Sequence, residues 1–174
     1  FDWLRMPALF EGVSLRSFSL PQVFGASSYT LALWRLGRAW SDALTAPALP
    51  FALQRDPWDL ARERHGASLA MLPLLDDFAR RRQGLTKEGS RAQRRKLASA
   101  WLLQTRLCST RVLLASVPVG EEGHARQLQQ ELSQRVLGWA LPARTTGLLP
   151  RYSEQAAPRL LGTLLAASEH LALE

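Results

Sequence analysis

Two sets of side chains in this sequence could do chemistry by type and spacing: a dense run of arginines, and a thin scatter of carboxylates, histidines and one thiol. The run is RRRQGLTKEGSRAQRRK, in which Arg80, Arg81, Arg82, Lys87, Arg91, Arg94, Arg95 and Lys96 stand against one acid, Glu88, and Arg106 extends it. Clustered guanidinium groups take phosphate or carboxylate oxygens in charge-assisted hydrogen bonds, and a set that touches several phosphates binds with a steep salt dependence. Abundance alone says little, because the chain has twenty arginines, two lysines, no Ile and no Asn, the pattern of GC-rich coding. Placement says more. Of a formal net charge of +7, residues 80–111 hold ten basic groups and one acid, whereas the stretches before and after are each one unit negative.

The scatter is poorer in chemistry. His65, His124 and His170 fall on three different expected helices, none with a His, Cys or carboxylate at the three- or four-residue spacing of a helical metal site, so no metal site and no cofactor is expected. Asp76-Asp77 in LLDDFARRR resembles the first half of the aspartate-rich, magnesium-binding helix motif of terpenoid synthases. The third acid of that motif is missing, since Arg80 and Arg81 occupy its place, and pairing of the two acids with those arginines at i, i+4 is the simpler expectation. No serine sits in a Gly-x-Ser-x-Gly elbow. Cys108 cannot form an internal disulfide and lies toward the apolar side of its helix, where a buried, unreactive thiol is expected. No catalytic residue can be named from these patterns, and a non-enzymatic protein is the leaning expectation.

The elements that would hold these residues read as helices. At 174 residues and 47% hydrophobic content the chain suits one all-α domain, a bundle of five to six helices behind a short irregular arm, residues 1–24. Trp3, Phe10, Phe18 and Phe24 are expected to anchor that arm on the body. Ser27 or Ser28 can cap a first helix with Leu33, Leu36, Trp40 and Ala43/Leu44 on its inner stripe, ended by Pro47 and Pro50. Gly37 within it predicts close approach of another helix, and Arg35 and Arg38, off the stripe, are expected in solvent. Asp56-Pro57-Trp58-Asp59 starts the next helix, whose face carries Leu60, Ala67, Met71, Leu74 and Phe78; Pro73 should kink or break it.

Arg80 to Arg82 then suit the negative end of that helix and Gly84 its stop, which makes residues 80–96 a basic connector. From Ser90 to about Ser116 a long amphipathic helix is expected, with Leu97, Ala100, Leu103, Leu107 and Leu114 inside and Arg91, Arg94, Arg95 and Arg106 outside. Val112 to Val119 also admits a buried strand opening a phosphate loop, although Glu121 and Glu122 stand where Lys-Ser/Thr would be needed. A further helix spans about Glu121 to Trp139, with Ala125, Leu128, Leu132, Val136 and Trp139 inside. The last one carries Leu160, Leu161, Leu164, Leu165, Ala167 and Leu171, with Pro158 in its first turn.

Every apolar run is interrupted by Arg, Asp or Pro before it reaches membrane-spanning length, and the opening residues lack the order of a secretory leader, so a cytoplasmic protein is expected. Two functions fit. The first is a non-catalytic protein-protein interaction module, an adaptor, assembly or regulatory domain whose electropositive face receives an acidic protein surface. The alternative is sequence-independent binding of a polyanion, nucleic acid or an anionic membrane, through Arg80 to Arg106. Trp101 is the only aromatic in that segment and falls nearer the apolar side, so base stacking is not expected.

Overall fold

A computed structural model describes residues 25–45, 48–50, 54, 58–118, 120–139 and 155–173. The expected arm with its aromatic anchors, the proposed stop at Pro47 and the stretch 140–154 lie outside them; the helix expected to start at Asp56-Pro57-Trp58-Asp59 begins only at Leu60, because Asp59 before it has a left-handed backbone at φ 52°. The described residues form an all-α bundle of six helices with no strand: α1 (Ala26–Leu44), α2 (Leu60–Met71), α3 (Asp76–Gln83), α4 (Lys87–Ala115), α5 (Glu122–Leu137) and α6 (Ala156–Leu173). The strand alternative therefore fails, since residues 112–115 complete α4 and 116–118 turn out of it.

Local chemistry accounts for most helix ends. Pro73 breaks the chain as expected, leaving a single 3-10 turn, Leu72–Leu74, between α2 and α3. Gly84, in the left-handed region at φ 67°, stops α3, and the Thr86 hydroxyl accepts the Gly89 N–H at 3.1 Å to start α4. Segment 80–96 is thus not a connector. Only Gly84, Leu85 and Thr86 link the two helices, because the stop and the cap stand two residues apart. At the head of α1 neither Ser27 nor Ser28 caps; the helix begins at Ala26 after Gly25.

Helix α2 is the centre of the bundle, packed against α1 on one side and α6 on the other, while α4 packs against α3, α5 and α6. Close approach is what glycine supplies here. A Cβ on Gly37 would overlap the His65 carbonyl of α2, and one on Gly162 of α6 would stand 2.7 Å from the Arg64 amide nitrogen and 2.8 Å from Glu63. The small core between these helices is Ala67, Met71 and Ala166, with Leu74, Trp101 and Ala167 against it.

Small residues therefore line the helix contacts, and several expected inner faces turn. In α5 Ala125 is buried as expected, but Gln129, Ser133 and Leu137 are buried one position along from Leu128, Leu132 and Val136, and Trp139 is 54% exposed. In α4 Leu97 and Leu114 are buried but Leu103 and Ala100 are exposed. Its buried arc shifts along its length, because its first half meets α3 and the core while its second half turns back against α5. In α6 Leu161, Leu164, Leu165 and Leu171 are exposed, and Ala156, Pro158, Gly162, Thr163 and Ala166 are buried in their place. In α1 Leu33 faces inward as expected, whereas Trp40 and Leu44 are exposed.

Candidate functional sites: a basic helix face and a buried ion-pair cluster

The arginine-rich segment divides by what each guanidinium meets. On α3, Arg80 pairs with Asp76 at 3.8 Å and Arg81 with Asp77 at 3.3 Å, the i, i+4 pairs expected from the sequence. A shallow groove of about 340 Å³ lies against Asp77, Arg80, Arg81, Gly84 and Leu85. Asp77 is the one acid against two arginines in that lining, and Arg80 is offset by Asp76 beside it. Arg82 is exposed on the same helix.

Asp76 also receives the Ser90 hydroxyl at 2.6 Å and stands 3.7 Å from Arg94. That hydroxyl, then Arg80 and Arg94, hold its carboxyl below the ordinary carboxylate range. With Gln93 donating to Gln83 at 2.5 Å, these contacts tie α3 to the first turns of α4 and take Arg94 out of the free set.

Lys87, Arg91, Arg95, Lys96 and Arg106 remain, all exposed on α4, and no acid among the described residues lies within ion-pair distance of them. At about 100° per residue, Arg91, Arg95 and Arg106 fall within about 60° of one another, and Leu102 and Leu113 fall in the same arc. Both leucines are exposed. The face is therefore cationic and apolar together, a mixture that the expected separation of arginine and leucine faces did not contain.

The second site was not expected at all. Glu63, in the middle of α2, is 2% exposed, because the Cβ-free Gly162 brings α6 down onto it. Arg38 reaches it from α1 and donates Nη1–H to Oε1 at 2.5 Å, while its Nη2 lies 3.4 Å from Asp59. Arg159 reaches it from α6, with Nε 3.8 Å from Oε2, and neither of these two buried atoms has a hydrogen-bond partner. Trp34 holds the arrangement together: its indole hydrogen-bonds toward Glu63, and the Arg38 and Arg159 guanidiniums sit 4.8 and 4.6 Å from its ring centroid. Arg38 is thus not the solvated residue expected from its place off the α1 stripe.

Burial pushes the Glu63 carboxyl up, against the pull of Arg38 and then Arg159. Cys108 of α4 adjoins the cluster, and burial likewise raises its thiol, with Arg159 and Arg111 opposing. A raised thiol is a poor nucleophile, so the buried, inert reading of Cys108 stands on the same cause.

The acid side of the cluster continues through Asp59, whose backbone is left-handed at φ 52° and whose carboxylate also meets Arg62 at 3.2 Å. Arg62 passes the chain of charges on to Asp42 of α1 at 2.9 Å. Farther along α2, Ser68 donates to Glu169 at 3.2 Å and His170 Nε2 meets the Ser68 carbonyl at 2.9 Å. Serine, histidine and glutamate are close there, but the ring nitrogen is engaged by a main-chain carbonyl rather than the hydroxyl, so His170 is not placed to take the Ser68 proton. These contacts pin α6 to α2. His124 is exposed on α5, and no group of three metal-ligating side chains forms among the described residues.

Comparisons with protein-family models, with curated proteins and with solved structures found no match.

Proposed function

We propose that this protein is a non-catalytic interaction module whose α4 face docks an acidic segment of a partner protein. One observation carries the reading: Arg91, Arg95 and Arg106 share an exposed arc with Leu102 and Leu113. Phosphate backbones offer charge without an apolar counterpart, so a nucleic acid would leave those leucines in water. An amphipathic protein segment with carboxylates beside leucines or valines covers both kinds of group. A reducing, cytoplasmic setting belongs to this reading and is supported by the single buried thiol.

A synthetic helical peptide with Glu and Leu alternating at i, i+4 tests it by fluorescence anisotropy, beside duplex DNA, duplex RNA and anionic vesicles at low and physiological salt. The peptide is expected to bind, more weakly as salt rises, and Arg91→Gln, Arg95→Gln and Arg106→Gln together should weaken it about tenfold or more, about 1.4 kcal/mol. Binding of a duplex or of vesicles, with none of the peptide, would replace this reading by the polyanion one.

A further inference from the structure

Helix α4 carries the hydroxyls of Ser90, Ser99, Thr105, Ser109 and Thr110. Ser90 donates to Asp76 of α3, and Thr105, Ser109 and Thr110 each donate to the carbonyl four residues earlier. Ser99 alone is left without a hydrogen-bond partner among the described residues. It is exposed, and so is every other residue from 98 to 104 except Trp101, which packs on the core. Between the half of α4 that meets α3 and the half that meets α5, about two turns are thus held to the body from one side only, and such a stretch opens locally more easily than its packed neighbours. Arg94, Arg95 and Lys96 stand five, four and three positions before Ser99. Consecutive cations just ahead of an accessible hydroxyl make a charge pattern of the kind by which protein kinases select substrates. Ser99 also borders the docking arc. At about 100° per residue it falls about 20° from Arg106 and about 40° from Arg95 on the wheel.

We infer that Ser99 is a phosphorylation site, and that a phosphate there closes the α4 face to its acidic partner. The closing role rests on the docking reading above; the site itself does not. In the transfer, Ser99 Oγ bonds to the γ-phosphorus of ATP as the bond from that phosphorus to its bridging oxygen breaks, ADP leaves, and the hydroxyl proton passes to the catalytic aspartate of the kinase. The product adds a charge of about −1.5 to −2 and three acceptor oxygens. Arg95 and Lys96, four and three residues back, stand one turn away on the same helix, and each reaches such a phosphate in a charge-assisted pair. Two cations beside the arc are then answered from within the helix, and the charge left over repels an incoming carboxylate. No packed side chain is displaced, because Ser99 and its neighbours Ala98 and Ala100 are exposed.

Incubating the intact chain with a basophilic protein kinase and magnesium ATP tests the site. Phosphate should be incorporated and mapped to Ser99 by peptide mass spectrometry, and Ser99→Ala should lose that label while keeping the melt of the intact chain. No incorporation, or incorporation that leaves Ser99 unmodified, overturns the inference. Phosphorus NMR of the labelled chain reads the surroundings of the phosphate without any ligand. Arg95 and Lys96 should hold its second ionisation below the ordinary value of about 6, and high salt should return it toward that value. An ordinary value at low salt overturns the pairing. For the closing role, the phosphorylated chain should bind the Glu and Leu helical peptide at least tenfold more weakly than the unmodified chain in physiological salt. Equal binding overturns that role. An unmodified chain that fails to bind the peptide removes the docking reading and the closing role with it, while the site still stands or falls on incorporation and the phosphorus signal.

Discussion

The guanidinium groups of Arg91, Arg95 and Arg106 stand in water with no described acid opposite them, whereas those of Arg38 and Arg159 lie over one indole ring beside a carboxylate that water scarcely reaches. One functional group thus works in two solvents within a single bundle. In water its charge is screened within about 8–10 Å, costs the fold little, and remains available to whatever arrives. Between α1, α2 and α6 the same charge has lost much of its hydration, and it is answered by Glu63, which water scarcely reaches. The lesson is that the count of arginines says nothing of their work; the nearest carboxylate and the depth of burial decide it.

Removing Glu63 is the strongest way to break this contrast. Glu63→Ala should destabilise the protein by about 3 kcal/mol in urea unfolding, because Arg38 and Arg159, both partly shielded from water, then lose their common partner. A loss under about 1 kcal/mol would mean that water reaches the cluster and that the two regions do not differ in kind.

The pH dependence sharpens the contrast by its sign. Burial raises the Glu63 carboxyl in the folded state, so its contribution is fully present below the unfolded carboxylate value and is lost as pH rises through the folded one. Asp76 is the opposite case. The Ser90 hydroxyl and nearby arginines lower it, so its contribution is present above the unfolded value and is lost as pH falls through the folded one. Measured by urea unfolding through the acid range, the intact protein should gain on Glu63→Gln as pH falls and lose on Asp76→Asn over the same interval. Parallel curves would show that the two carboxylates share one environment.

The smallest effect belongs to the free arginines. Changing Arg91, Arg95 and Arg106 to Gln together should shift unfolding free energy by no more than about 0.5 kcal/mol, with a cooperative melt retained. A collapsed transition would place these side chains in internal pairs.

Helix existence and most helix ends were legible in the sequence because they rest on local chemistry. Pro73 removes a hydrogen bond wherever it stands, and Gly84 favours the left-handed stop for its lack of Cβ. Which face turns inward was less legible, because that reading assumes that large apolar side chains make the contacts. Here Gly37, Gly162 and Ala166 make them, so leucines such as Leu164 and Leu171 are left outside and the polar Gln129 and Ser133 are enclosed. The i, i+4 pairs of Asp76 and Asp77 could be read off directly, since both partners lie on one turn. Glu63 could not. A lone acid in RER looks solvated, and its partners come from α1 and α6. The one local hint was Gly37, which predicts a neighbouring backbone too close for any side chain to escape to water.

The length of α4 has a consequence of its own. Its 29 residues, rising about 1.5 Å each, make a rod about 44 Å long. From Arg91 to Leu113 the exposed arc runs for about 33 Å. A single short motif can occupy only a fraction of that track. A ligand engaging both ends must be a helix of about six turns, or two motifs joined by a tether, and in the second case the span of the tether sets the effective concentration of the second motif. For the docking proposed above, α4 would then act as a ruler, and binding strength plotted against ligand length would read its graduations.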